Sequence, residues 1–185
     1  TPDDVQNIPH PIIGYMGTIN STRLDGELLY QIISQRPDYS FVFTGPEDDG
    51  FRQHRIHSLK NAYFTGQKKV DELPAYITAY DVCINPQMVN DITDGNYPLK
   101  IDEYLAMGKP TVATSTHTMR HIFADHTHLA TNPEEWLSAI DRAVTEADDK
   151  ELAKQRIAFA ETHSWGHSVK KIYGIIDNFL KEKAT

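Results

Sequence analysis

The stretch "DGNYPLKIDEYLAMGKPTVAT", residues 94–114, decides the fold. A polar loop bearing Gly95 reaches Pro98, and a short helical pattern follows. That pattern stops at Gly108–Lys109–Pro110, because glycine and proline end helices. The β-branched run Thr111–Val112–Ala113–Thr114 then reads as a short strand. One carboxylate, Glu103, sits inside the predicted helix.

The same alternation extends outward in both directions. Upstream, "PIIGYMG" (11–17), "YSFVFTGP" (39–46), "NAYFTG" (61–66) and "DVCINP" (81–86) read as strands. Between them, "LDGELLYQIISQRP" (24–37) has helical spacing closed by Pro37, "FRQHRIHSLK" (51–60) is predicted helical, and "VDELPAYITAY" (70–80) carries Pro74 in its first turn, where proline is tolerated. Downstream, "THLAT" (127–131) adds a sixth strand, and from "NPEEWLSAIDRAV" (132–144) the chain reads helical to its end. Asn132 is the predicted N-cap there, with Pro133 at the first helical position. Strands alternating with helices imply right-handed crossovers and a parallel sheet covered on both faces. The fold class is therefore α/β, a doubly wound Rossmann-like domain. Such sheets bind ligands outside the carboxyl ends of their strands, so the loops after the strands are where function is sought.

Composition narrows the function classes. The 185 residues suffice for one core, and 39% hydrophobic with 24% charged residues is the balance of a globular domain. No apolar run approaches the roughly 20 residues of a membrane-spanning helix. A net charge of −8 argues against a broad nucleic-acid surface but leaves room for a small anion held by local donors. The single cysteine, Cys83, cannot form an internal disulfide and sits in an apolar run; it reads as a buried hydrophobe in a reducing, cytoplasmic setting. "TPDDVQNIPHP" reads as a linker or domain edge over residues 1–10, with the domain proper over 11–185.

Four strand-end loops carry the candidate chemistry. After the first strand, "GTINSTRLDG" offers Gly17, Thr18, small polar side chains and Arg23. Backbone amides, a helix start and an arginine together suit a phosphate; the alternative is that Arg23 pairs with Asp25 or Glu27. No G-x-G-x-x-G follows this strand. After the second strand, "TGPEDDGF" is too acidic for a phosphate and reads as a solvated turn. After the third, Gly66, Gln67 and Lys68 could hold a nucleobase edge or phosphate, or form a surface turn. After the fourth, "NPQMVNDITDGNYPLK" is long for such a connection, and long loops on this edge tend to be functional. The amides of Leu99 and Lys100, following Pro98, are unpaired in a first helical turn. With Gly95 and the Lys100 amine they could hold a diphosphate. Glu103, one turn on, could accept from ribose hydroxyls, or be an ordinary residue near a helix start.

On these residues the chain resembles a known family. "YPLKIDEYLAMGKPTVAT" is similar to the nucleotide-binding segment of GT-B glycosyltransferases of the group 1, or family 4, type. "IIGYMGTI", "RPDYSFVFTGP", "AYFTGQKKVDELPAYITAYDVCINP" and "FAETHSWGHSVKKIYGII" match in order, covering roughly residues 11–181. The resemblance is strongest to the bacterial subset that builds surface polysaccharides. It implies the C-terminal, donor-binding half of a two-domain enzyme, with the acceptor domain missing. The implied reaction transfers a sugar from a nucleotide diphosphate sugar to an acceptor hydroxyl on a glycan or lipid-linked glycan. It implies no metal, no separate cofactor and retention of anomeric configuration. It also implies cytoplasmic work, peripheral to the inner membrane face, and little catalysis by this half alone. Carried over, Arg23 and Lys100 stabilise the leaving diphosphate, Gly17 and Thr18 form the phosphate loop, Gly66–Gln67–Lys68 the base turn, and Pro98–Leu99 the diphosphate turn. Glu103 matches the ribose-binding second glutamate of E-x7-E. Gly95 stands where the first, sugar-facing glutamate is expected, with Asp94 and Asp91 nearby. Other readings are a nucleotide-sugar epimerase of the same fold and a flavodoxin-like regulatory module.

Two further patterns stand apart. Among nine histidines, His117 and His121 share i, i+4 spacing, but "HTMRH" lacks the glutamate of a zinc helix, and they read as surface residues. Trp165, Val169, Ile172, Tyr173 and Ile176 recur at helical spacing, which predicts a helix packed on the core.

Overall fold

The computed structural model describes residues 1–91 and 93–183. The strands are β1 (Ile12–Met16), β2 (Ser40–Thr44), β3 (Ala62–Gly66), β4 (Val82–Asn85), β5 (Thr111–Thr114) and β6 (His128–Ala130). The helices are α1 (Gly26–Ser34), α2 (Asp49–Arg52), α3 (Leu73–Ala79), α4 (Leu99–Ala106), α5 (Pro133–Thr145), α6 (Lys150–Glu161) and α7 (Trp165–Lys183). All six strands run parallel in the order β3-β2-β1-β4-β5-β6. The order reverses between β1 and β4, and that switch point is where an open α/β sheet leaves a crevice.

The core lies on both faces of the sheet. One face packs Leu29, Ile32 and Ile33 of α1 and Trp136 and Ile140 of α5 against Ile13, Phe41 and Ile84. The other packs Tyr76 and Ile77 of α3 and Ile101, Tyr104 and Leu105 of α4 against Ile12, Val42 and Cys83. Neighbouring strand residues thus go to opposite layers, so β1, β2, β4 and β5 are buried along their whole length, without alternation. Cys83 is fully buried, and burial raises its thiol pKa well above the usual range, as befits a core residue.

Most predicted elements are present. Asn132 caps α5 by accepting from the Glu135 amide at 2.9 Å, with Pro133 next in the chain. Three features differ from the sequence reading. The helix expected over 51–60 is split into the short α2 and a single tight turn over Arg55–Ser58, with Phe51 and Ile56 buried. A five-residue separation of buried side chains does not suit one continuous helix face. Second, α7 forms, but its apolar stripe does not enter the core: Trp165 is 84% and Tyr173 64% exposed. Helical periodicity reports an apolar face and not what covers it. The predicted continuation to residue 185 lies outside the described residues.

Third, the stretch 1–10, read as a linker, packs along α3. Val5 and Ile8 are buried in the second core layer. Asp4 accepts hydrogen bonds from Lys68 Nζ at 2.6 Å and the Tyr76 hydroxyl at 2.7 Å. His10 Nδ1 lies 2.6 Å from Asp81 Oδ2, which also accepts from the Ile12 amide at 2.5 Å. Three polar anchors and two buried side chains tie these residues, read from composition as a linker or domain edge, to the domain.

Candidate functional site

Strand β1 ends at Met16, and the chain turns sharply at Gly17. Gly17 has φ +137°, and a Cβ there would lie 2.8 Å from Lys100 Nζ. Only glycine fits this backbone and this approach. The Gly17 amide donates to Thr44 O at 2.9 Å and the Ile19 amide to Pro46 O at 2.8 Å, tying the loop to the end of β2. Across the switch point, the Asp25 amide donates to Pro86 O at 3.1 Å and the Met88 amide to Arg23 O at 2.8 Å. The loops after β1 and β4 are therefore stitched together through their backbones.

The acids after β2 lie in a solvated turn, as expected, and one of them also has a structural role. Asp48 caps α2 through the Phe51 amide at 2.8 Å and accepts from the Ser21 amide and hydroxyl, each at 2.8 Å. The Phe51 and Ser21 donors hold its carboxyl pKa below the usual range. Asp48 thus braces the glycine loop from outside.

The long loop after β4 closes on itself before reaching α4. The Thr93 amide donates to Asn90 Oδ1 at 3.1 Å while the Asn90 amide donates to Thr93 Oγ1 at 3.0 Å. Asp94 Oδ1 accepts from the His117 amide at 2.7 Å, which pins the loop to the turn after β5. The chain then reaches Pro98, which is buried and starts α4 without a side-chain cap. The Ile101 amide returns to Pro98 O at 2.9 Å, so the Leu99 and Lys100 amides are the outward donors of the first turn. Leu99 is 65% exposed although apolar.

These loops enclose a cavity of about 500 Å³ at the switch point, lined by Gly17, Thr18, Arg23, Pro98, Leu99 and Lys100 among others. Residues from positions 17 to 100 thus meet in one place. Lys100 Nζ donates to the Tyr15 hydroxyl at 2.7 Å and lies 4.2 Å from the centre of that ring. The Tyr15 hydroxyl in turn donates to Thr18 O at 3.0 Å. Burial lowers the Lys100 pKa to about 8, Glu103 pulls it up, and Arg23 pushes it further down. Arg23 forms no side-chain hydrogen bond or ion pair among the described residues. Its two expected rivals are engaged elsewhere: Asp25 caps α1 through the Leu28 amide at 2.9 Å, and Glu27 pairs with Arg55. Two cations and a helix start converge on one cavity, an arrangement suited to a polyanion.

The other candidate residues lie around it. Glu103 is on α4 one turn past Lys100. It remains exposed overall, yet burial of part of its surroundings lifts its carboxyl pKa, and Lys100 pulls it back down. Gly95 is exposed and stands just before the lining residues Asn96 and Tyr97. Gly66 and Gln67 are exposed at the end of β3, outside the cavity lining, and Gly66 O accepts from the Gly45 amide at 3.0 Å. The Lys68 amine is held by Asp4, which raises its pKa. The lining also includes Tyr15, Asn20, Leu24 and Gln87. Nothing in an apolar strand marks Tyr15; Gln87, directly after β4 on the ligand edge, was within reach of the loop argument. A larger cavity, about 660 Å³, lies against β6, α5 and α6 at the sheet edge. There Glu146 pairs with both Arg156 and His128, and the cavity is remote from the strand ends at the switch point.

The sequence matches the family described as glycosyl transferases group 1 over residues 10–146. It is 27% identical over 168 residues to the Bacillus subtilis glycosyltransferase TuaH, named for teichuronic acid biosynthesis, covering 87% of this chain and 42% of that protein. Among solved structures it superposes on sucrose-phosphate synthase of Thermosynechococcus elongatus with a TM-score of 0.72 at 19% identity, covering 93% of this chain and 46% of that one. It also superposes on Anabaena HepE, solved in complex with UDP, with a TM-score of 0.73 at 14% identity, covering 96% and 53%. The chain therefore spans about half the length of the relatives it matches.

Proposed function

The chain belongs to the glycosyl transferases group 1 family, and on that premise we propose that it is the donor-binding half of a nucleotide-sugar-dependent glycosyltransferase, with UDP as the nucleotide. The observation that carries this reading is the convergence of the Gly17 loop, Arg23, Lys100 and the first turn of α4 on one cavity. The UDP bound to HepE supports the choice of base. TuaH supports an acceptor glycan of the cell surface, reached through residues outside this chain.

In this reading, the diphosphate lies against the first turn of α4, and the anomeric C–O bond breaks as negative charge grows on the leaving phosphate oxygen. Lys100 and Arg23 neutralise that charge, and the Leu99 and Lys100 amides donate to it without needing to reorient. Glu103 accepts from the ribose hydroxyls from one turn behind, far enough to avoid repelling the phosphates. Gly66 and Gln67 supply backbone to the base, while Lys68 contributes through its position only, since its amine is committed to Asp4. With no acid at position 95, Asp94 or Asp91 would have to take the place of the sugar-facing carboxylate, and Asp94 Oδ1 already accepts from the His117 amide. The epimerase and regulatory-module readings are not favoured by relatives that are named as sugar transferases.

Titration calorimetry with UDP, GDP and ADP tests the reading. UDP binds best, and Glu103→Ala weakens it by about tenfold to a hundredfold, the worth of one or two hydrogen bonds to a charged group. Absence of binding by all three nucleotides, or an unchanged affinity in Glu103→Ala, overturns the assignment.

A further inference from the structure

Tyr97 forms part of the cavity wall, one residue before Pro98 opens α4. Its hydroxyl turns back onto α4 and donates to Asp102 Oδ2 at 2.6 Å. Asp102 Oδ1 lies 2.8 Å from Nδ1 of His163, in the turn between α6 and α7. The two side chains keep only 18% and 23% of their exposure, so water reaches each over a small part of its surface. The His163 ring is fixed by edge contacts with Phe123 and Phe159, at centroid distances of 5.7 and 4.5 Å. Burial, and after it Asp102, push the Tyr97 pKa far up, so its hydroxyl is a donor at any working pH. One oxygen of Asp102 is then satisfied by Tyr97 and the other by Nδ1–H of His163, whose longer 3.4 Å approach to the Tyr97 hydroxyl is secondary to its 2.8 Å bond to Asp102.

We propose that His163 is a positioning residue for the cavity: through Asp102 it holds the Tyr97 ring, and with it the start of α4. The proposal rests on the donor-site reading above. Removing His163 leaves one oxygen of Asp102 without its protein donor in a partly shielded place. The Asp102 carboxylate, no longer held from its far side, is then free to rotate, and with it the Tyr97 ring and the amides next to Pro98 lose their fixed direction toward the diphosphate. His163 itself touches no ligand.

The test is titration of UDP into the whole chain, for wild type, His163→Ala, His163→Asn, Tyr97→Phe and the His163→Ala/Tyr97→Phe double variant, with thermal unfolding of each. The amide nitrogen of asparagine falls near the place of Nδ1 and can donate to Asp102. His163→Ala and Tyr97→Phe each weaken UDP by about five- to tenfold, His163→Asn restores it to within about twofold, and the double variant is no weaker than either single one. Wild-type affinity in Tyr97→Phe or His163→Ala, or additive losses in the double variant, overturn the proposal while leaving the donor site standing. If His163→Ala does not fold, His163→Asn and Tyr97→Phe decide: near-wild-type affinity in the first with the loss in the second supports it, and any other pairing overturns it. Failure of UDP, GDP and ADP to bind the wild type instead overturns the donor-site reading itself, and this proposal with it.

Discussion

Lys100→Met weakens UDP binding by about two orders of magnitude, roughly 3 kcal/mol, yet makes the protein without nucleotide more stable at pH 7. The two signs follow from one fact: Lys100 is a largely desolvated cation whose folded-state pKa is about 8, against an ordinary 10.5. A depressed lysine pKa means that the folded state binds fewer protons than the unfolded one between those values. Stability therefore rises with pH across that window, and below pH 8 the protein carries the full cost of the charge, on the order of 3 kcal/mol. A methionine of similar length removes the charge and keeps the packing against Tyr15. Urea unfolding at pH 7 and pH 10 measures this, and the advantage of the variant shrinks as pH rises. A bound diphosphate favours the protonated amine, so UDP affinity of the wild type falls as pH climbs past about 8. At pH 9 binding takes up a proton, and the measured enthalpy then differs between buffers of unlike ionisation heat. The methionine variant shows no such difference. Loss of stability at pH 7 together with loss of affinity would refute the account.

Gly45→Ala is the second large effect, and it acts on stability and binding together. Gly45 has φ +149°, and a Cβ there would lie 2.0 Å from Gly17 O. The obstacle is backbone, which cannot swing aside as a side chain does. The Gly17 and Gly45 amides also reach across to Thr44 O and Gly66 O, so the ends of β1, β2 and β3 are locked in register. Relief of the clash moves Gly17, and Gly17 is the floor beneath Lys100. The expected cost is about 3 kcal/mol or more in thermal or urea unfolding, and UDP binding is lost with the displaced loop. Gly95→Ala is the control, because a Cβ at that position meets nothing within 4 Å. It should unfold within about 0.5 kcal/mol of the wild type, as ordinary surface changes do. A Gly45→Ala protein as stable as Gly95→Ala would show that the close approach of the two loops is not needed.

Much of the site was legible because it obeys local rules. Pro98 with a helical pattern behind it marks a helix start with free amides, and Arg23 and Lys100 stand at strand-end loops. Gly17 was recognisable as a place of close approach, though not what approaches it. The loop after β2 is the solvated turn its acids predict, but the bracing role of Asp48 leaves no local signal, because its partner Ser21 lies 27 positions away in sequence. Lys68 looked available until Asp4, from a stretch composed like a linker, was found holding it. The split of the 51–60 helix follows from which face of a short segment meets the core, a contact its own spacing does not describe.

The sequence by itself determined the order and type of most elements, the parallel α/β class and the edge of the sheet on which the candidate site lies. These depend on apolar periodicity, glycine and proline, which act over a few residues. Only the tertiary structure decided that Tyr15 backs Lys100, that His163 reaches Asp102, and that the apolar stripe of α7 stays outside the core. Those depend on which side chains packing brings together from 61 and 85 positions apart. Such pairings leave no local pattern, because desolvation and hydrogen-bond geometry are properties of the folded neighbourhood rather than of the chain around any one residue.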